Sequence, residues 1–115
     1  MSVINSLKRI ILIYLDTIKY YRALGVHIGE NFEIYSTAYF GSEPYLISLG
    51  DHVRVNAGVQ FVTHDGGVWV LGEYPGLVIN VEISDIDLFG EIKVGNNAHI
   101  GTNAIIMPGV SIGNN

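Results

Sequence analysis

The chain has 115 residues, 49% of them hydrophobic, and a formal net charge of −5. That is the size of one domain, with the excess of Ile, Val and Tyr that suits strands, and its acidic balance argues against a nucleic-acid partner. It has no cysteine, which excludes disulfides and thiolate metal sites; nothing points to an oxidising compartment, so the expected location is cytoplasmic.

The first predicted element is a helix over residues 2–24. Apolar residues at Val3, Ile4, Leu7, Ile10, Ile11, Tyr14, Leu15, Ile18, Tyr21 and Leu24 follow helical spacing, with Ser2 as N-cap and Gly25 as stop. No small-residue cleavage site marks a secretory leader, and the longest apolar run, 10–15, is too short to span a bilayer. The helix carries Lys8, Arg9, Lys19 and Arg22 against Asp16, a balance of +3. Everything after it has Arg54 and Lys93 against ten acids, a balance of −8, which restores the total of −5. The apolar face is expected to cover the open end of the domain or a neighbouring subunit; a peripheral contact with an anionic membrane is the other reading.

From residue 26 onward the period changes. Ile28, Ile34, Phe40 and Leu46 form one run at six-residue spacing, Leu49, Val55 and Phe61 a second, and Val94, Ile100, Ile106 and Ile112 a third. Val53, Val59, Ala98, Ala104 and Val110 supply a second inward position, while Gly95-Asn96-Asn97, Gly101-Thr102-Asn103 and Gly113-Asn114-Asn115 supply corners that tolerate positive φ. A hexapeptide repeat folds as a β-solenoid, here with three hexads, about 18 residues, to a coil. The slip of three residues between the first two runs predicts an irregular corner at 42–48. The expected organisation is an N-terminal helix over 1–25 and a solenoid over 26–115, interrupted by an insertion at about 66–91. That insertion holds Trp69, Tyr74 and Pro75, and the alternation of Ile79, Val81 and Ile83 with polar residues suggests a strand or hairpin arm. Because the chain stops at Asn115 directly after a corner, with no capping element, a truncated polypeptide is expected.

The chemistry-bearing segment is Phe61-Val62-Thr63-His64-Asp65-Gly66-Gly67, where the coil gives way to the insertion. Imidazole titrates near neutrality and can take a proton from a hydroxyl as it attacks an acyl carbon. A carboxylate, from Asp65 or from another coil, could orient the ring and stabilise the imidazolium.

The hexads, residues 40–53 (FGSEPYLISLGDHV), 61–70 (FVTHDGGVWV) and 94–113 (VGNNAHIGTNAIIMPGVSIG) together resemble the left-handed β-helix hexapeptide acyltransferases. The nearest branch looks like bacterial O-acetyltransferases of capsule, lipopolysaccharide or other surface glycans, related more distantly to serine acetyltransferases. The resemblance implies an all-β, left-handed parallel β-helix and a homotrimer with active sites between subunits. Acetyl-CoA would be co-substrate rather than bound cofactor, and a sugar or glycan hydroxyl the acceptor. It makes His64 the general base, with Asp65 beside it, and Glu43 and Trp69 acceptor contacts. Gly101 and Asn103 would bind the pantetheine arm through their backbone. Relatives continue for further hexads, with a lysine for the CoA phosphates and a capping helix, which this chain lacks.

Two other classes remain in view. A non-catalytic fragment or scaffold subunit would share every folding feature. A zinc enzyme of the β-helical carbonic anhydrase kind needs three converging histidines; His52 and His64 lie two hexads apart, on different edges of a coil, and His99 points outward from its strand, so no metal is expected.

Overall fold

The computed structural model describes residues 3–67, 69–70 and 88–115. Its first element, α1 (Val3–Ala23), ends where the sequence places a stop. Gly25 takes φ of +102°, its N–H donates to the Arg22 carbonyl at 3.1 Å, and the Val26 N–H donates to the Tyr21 carbonyl at 3.1 Å. This crossed pair satisfies carbonyls that the last turn leaves unpaired, and a glycine adopts the left-handed conformation it needs without a Cβ penalty. The N-cap expected at Ser2 lies outside the described residues.

Among the described residues, α1 is followed by eleven short strands and one 3-10 turn: β1 (His27–Ile28), β2 (Glu33–Ile34), η1 (Pro44–Leu46), β3 (Ile47–Leu49), β4 (Val53–Val55), β5 (Gln60–Phe61), β6 (His64–Asp65), β7 (Leu88–Phe89), β8 (Ile92–Val94), β9 (Ala98–Ile100), β10 (Ile105–Ile106) and β11 (Ser111–Ile112). Two- and three-residue strands cannot stand alone, and their stability comes from stacking. One parallel sheet runs β1-β3-β8-β11, a second β2-β4-β9, and a third pairs β5 with β10, with Tyr39 bridging to Gln60 above it. The chain visits the three in turn, so the residues spaced by six stack in register: Ile28 on Leu49 on Val94 on Ile112, and Ile34 on Val55 on Ile100. They form a single buried core, in which Leu49, Val55, Val59, Phe61 and Ile92 are fully enclosed.

Corners repeat as faithfully as strands. Asn31, His52, Asn97 and Asn115 each stand three residues after an inward residue of the first sheet, and each has φ between +55° and +59°. His52 therefore occupies an asparagine position, and its Nδ1 lies 2.9 Å from the Asn97 Oδ1. Beside them, the Glu30 N–H donates to Asp51, the Asp51 N–H to Asn96 and the Asn96 N–H to Asn114. These bonds answer backbone donors that the corners would otherwise leave open.

The helix covers the first circuit only along its C-terminal half. Ile18 is buried, the Ile34 N–H donates to the Tyr14 hydroxyl at 2.6 Å, and Arg22 donates to the carbonyls of Ile28 and Gly29. Tyr21 meets Phe40 at 4.7 Å between ring centroids, and Phe40 stacks on Phe61 at 5.2 Å. Val3, Ile4, Leu7, Ile10 and Ile11, on the same face, remain exposed. No helix among the described residues is long and apolar enough to cross a membrane.

The run ending at Leu46 departs from expectation. Leu46 belongs to η1 and is only half-buried; Ile47 takes the inward place. Three extra residues between Phe40 and Leu49 are absorbed by this turn, so pairing resumes at Leu49 in the original register. At the other end Val110, expected inward, is 37% exposed, because β11 and β10 have no described strand beyond them.

Candidate functional site

The site forms where the third sheet gives way to the excursion. After Phe61 the chain buries Thr63 (1% exposed) and turns outward as β6, which pairs antiparallel with β7, His64 opposite Phe89 and Asp65 opposite Leu88. The Gly90 N–H donates to the Thr63 carbonyl at 3.0 Å, returning the chain to the stack. The arm expected around Ile79, Val81 and Ile83, with Tyr74 and Pro75, lies outside the described residues.

Above this corner passes the irregular segment from the preceding circuit. Gly41, at φ +73°, lets it descend onto Thr63: a Cβ there would stand 2.8 Å from the Thr63 hydroxyl and 2.7 Å from the Phe61 carbonyl oxygen. Glu43 follows, ahead of η1. Both its carboxylate oxygens lie 2.9 Å from His64 Nδ1. The Thr63 hydroxyl donates to Glu43 Oε2 at 2.6 Å and accepts the Glu43 N–H at 3.2 Å. Glu43's side chain is 14% exposed and His64's 35%. The Thr63 hydrogen bond, then that from His64, holds the Glu43 carboxyl below the usual range, so it is an anion at neutral pH. With Nδ1 committed to this carboxylate, the neutral ring carries its proton there and its basic lone pair on Nε2. Phe89, itself 60% exposed, flanks the imidazole at 5.3 Å between ring centroids.

The residues expected to serve the site fall into three groups. His64 and Glu43 are brought together: of the two sources expected for an orienting acid, Asp65 or another coil, it is the other coil that supplies it, and Glu43, expected as an acceptor contact, takes that place against the imidazole. Asp65 instead accepts the Gly67 N–H at 3.3 Å. Trp69 follows closely, 63% exposed, with its backbone N–H donating to the Gly66 carbonyl. Gly101 and Asn103 lie apart, at the corner between the second and third sheets, one corner round from His64. Asn103 there has φ +61°, as Gly58 has +72° at the equivalent corner above it. Thr63 and Phe89 were given no role from sequence; the only signal was that Thr63 precedes the histidine and Phe89 lies near the end of the insertion expected at about 66–91. Among the described residues, no three His, Asp or Glu side chains are grouped to hold a metal ion.

Residues 91–115 match the family described as hexapeptide repeat of succinyl-transferase. The chain is also similar to Protein CapG of Staphylococcus aureus, 50% identical over 93 residues, which are 78% of this chain and 49% of CapG. It thus spans about half the length of that relative. No solved structure matches. The closing hexads thus match a hexapeptide repeat described from a transferase, and the longer likeness takes in most of the chain.

Proposed function

We propose that this chain is an acyltransferase of the left-handed parallel β-helix type, moving an acetyl group from acetyl-CoA to a hydroxyl of a sugar or surface-polysaccharide precursor. The observation that carries the reading is the imidazole of His64 oriented by the Glu43 carboxylate at 2.9 Å. Nε2 of the ring takes the acceptor's proton as its oxygen bonds to the thioester carbonyl carbon. The carboxylate stabilises the imidazolium so formed. When the tetrahedral intermediate collapses, the carbon–sulfur bond breaks and the imidazolium returns the proton to the departing thiolate, with no covalent acyl-enzyme. Glu43, in place of Asp65, is assigned to the base as its orienting acid, Trp69 to the acceptor side, and the backbone of Gly101 and Asn103 to the donor's pantetheine arm. The homotrimer, with sites between subunits, and the cytoplasmic location belong to the same reading.

A second reading follows from the span of about half of CapG: these residues supply the base, and further sequence supplies part of the donor site.

Acetyl-CoA binding by calorimetry and turnover with sugar acceptors test the reading. His64→Ala should lower kcat by about 10² to 10⁴-fold with donor affinity little changed. Near-normal turnover in that variant overturns the assignment; absence of acetyl-CoA binding in the folded chain favours the second reading.

A further inference from the structure

We infer that Thr63 is a positioning residue for the base, acting through Glu43 to hold His64 in its Nδ1–H tautomer. This rests on the reading above for its catalytic consequence, though not for its structural one. A threonine hydroxyl has one proton to give and two lone pairs. Here the proton goes to Glu43 Oε2 at 2.6 Å, and a lone pair receives the N–H of the same glutamate at 3.2 Å. One buried hydroxyl thus ties the main chain of Glu43 to its own carboxylate and sets the direction of both.

Glu43 needs such a tie. It sits between a glycine of positive φ and a 3-10 turn, with φ −120° and ψ 73°, and no strand ladder aligns it. Gly41 brings the segment close enough for Thr63 to reach it. At 1% exposure Thr63 works where water does not compete, and among the described residues it is the one polar side chain in the buried set. Both oxygens of the carboxylate then face Nδ1 at the same distance, which keeps the proton on that nitrogen and the lone pair on Nε2. A carboxylate left to rotate would let the ring take the other tautomer, in which Nε2 is protonated and cannot act as a base.

The test uses the full 115-residue chain, labelled with 15N-histidine, and three variants: Thr63→Val, Thr63→Ala, which adds no bulk beside the carboxylate, and Thr63→Ser, which keeps the hydroxyl. Imidazole 15N shifts above the ring's titration report the tautomer of His64, assigned by loss of its signals in His64→Gln. Wild type and Thr63→Ser should show the Nδ1–H form, while Thr63→Val and Thr63→Ala show a mixture. In turnover, the two hydroxyl-free variants should lose roughly 10-fold in kcat with the KM for acetyl-CoA within about twofold, and Thr63→Ser should restore it. An unchanged tautomer in Thr63→Ala, or equal loss in Thr63→Ser, overturns the proposal. A shifted tautomer in a chain that transfers no acetyl group upholds the role of Thr63 and rules out this chain as an acyltransferase by itself, in favour of the second reading.

Discussion

Two glutamates each reach a basic side chain 21 positions later, on the next circuit: Glu33 meets Arg54 at 2.6 Å, and Glu43 meets His64 at 2.9 Å. The register of the stack sets both pairs, yet their surroundings differ. Glu33 and Arg54 are cross-strand neighbours on the outer face of the second sheet, with side chains 66% and 58% exposed. Glu43 is 14% exposed, lies off the ladder and is gripped by a buried threonine. Solvent screening leaves the first pair little to contribute, whereas the shielded, hydrogen-bonded second can orient a ring and keep a charge beside it. Stacking supplies the encounter; enclosure and a third partner turn the encounter into chemistry.

The severest way to break the comparison is to disturb the stack on which both pairs depend. Leu49 is fully buried between Ile28 and Val94, and Leu49→Ala should cost about 2 to 5 kcal/mol. Chemical denaturation measures it, and a loss below about 1 kcal/mol would mean the core does not hold the register.

Glu43→Gln sharpens the difference between the pairs by removing charge while keeping shape. It should reduce kcat by roughly 10- to 100-fold, between the effect of losing the base and that of losing Thr63. The sign of its pH dependence follows from a carboxyl whose folded value is depressed. Its stabilising contribution is complete above the unfolded value of about 4.3 and fades as pH falls through the lower folded value. The gap in melting temperature between wild type and Glu43→Gln should therefore close as pH falls through the carboxyl's range; a gap that persists below that range contradicts the assignment.

Arg54→Ala should do least. An exposed pair of this kind is worth about 0 to 1 kcal/mol, and turnover should stay within about twofold. A large loss of activity would place the outer face of the second sheet in the site.

The strands and corners were readable along the chain. Residues such as Leu49, Val55, Phe61, Val94 and Ile100 repeat every sixth position and are buried in the core, while Asn97 and Asn103 stand at corners with positive φ. Both properties are local, set by side-chain alternation and by backbone dihedrals that asparagine and glycine tolerate. The slip of three residues located the irregular corner at 42–48, where η1 is found, but not its conformation; packing within it made Leu46 part of the turn and gave the inward place to Ile47. The candidate base was visible as a histidine at the mouth of an insertion. That its carboxylate could come from another coil was also visible, but not which one, because Asp65 is adjacent in sequence and Glu43 is adjacent only in space.

By itself, then, the sequence determined the period, the corner chemistry and the place where the repeat opens, since each depends on a few consecutive residues. The tertiary structure alone decided which acid meets His64 and how it is held. That contact joins segments 21 residues apart, and it exists only when the stacked circuits are in register and Gly41 and η1 carry Glu43 down onto Thr63.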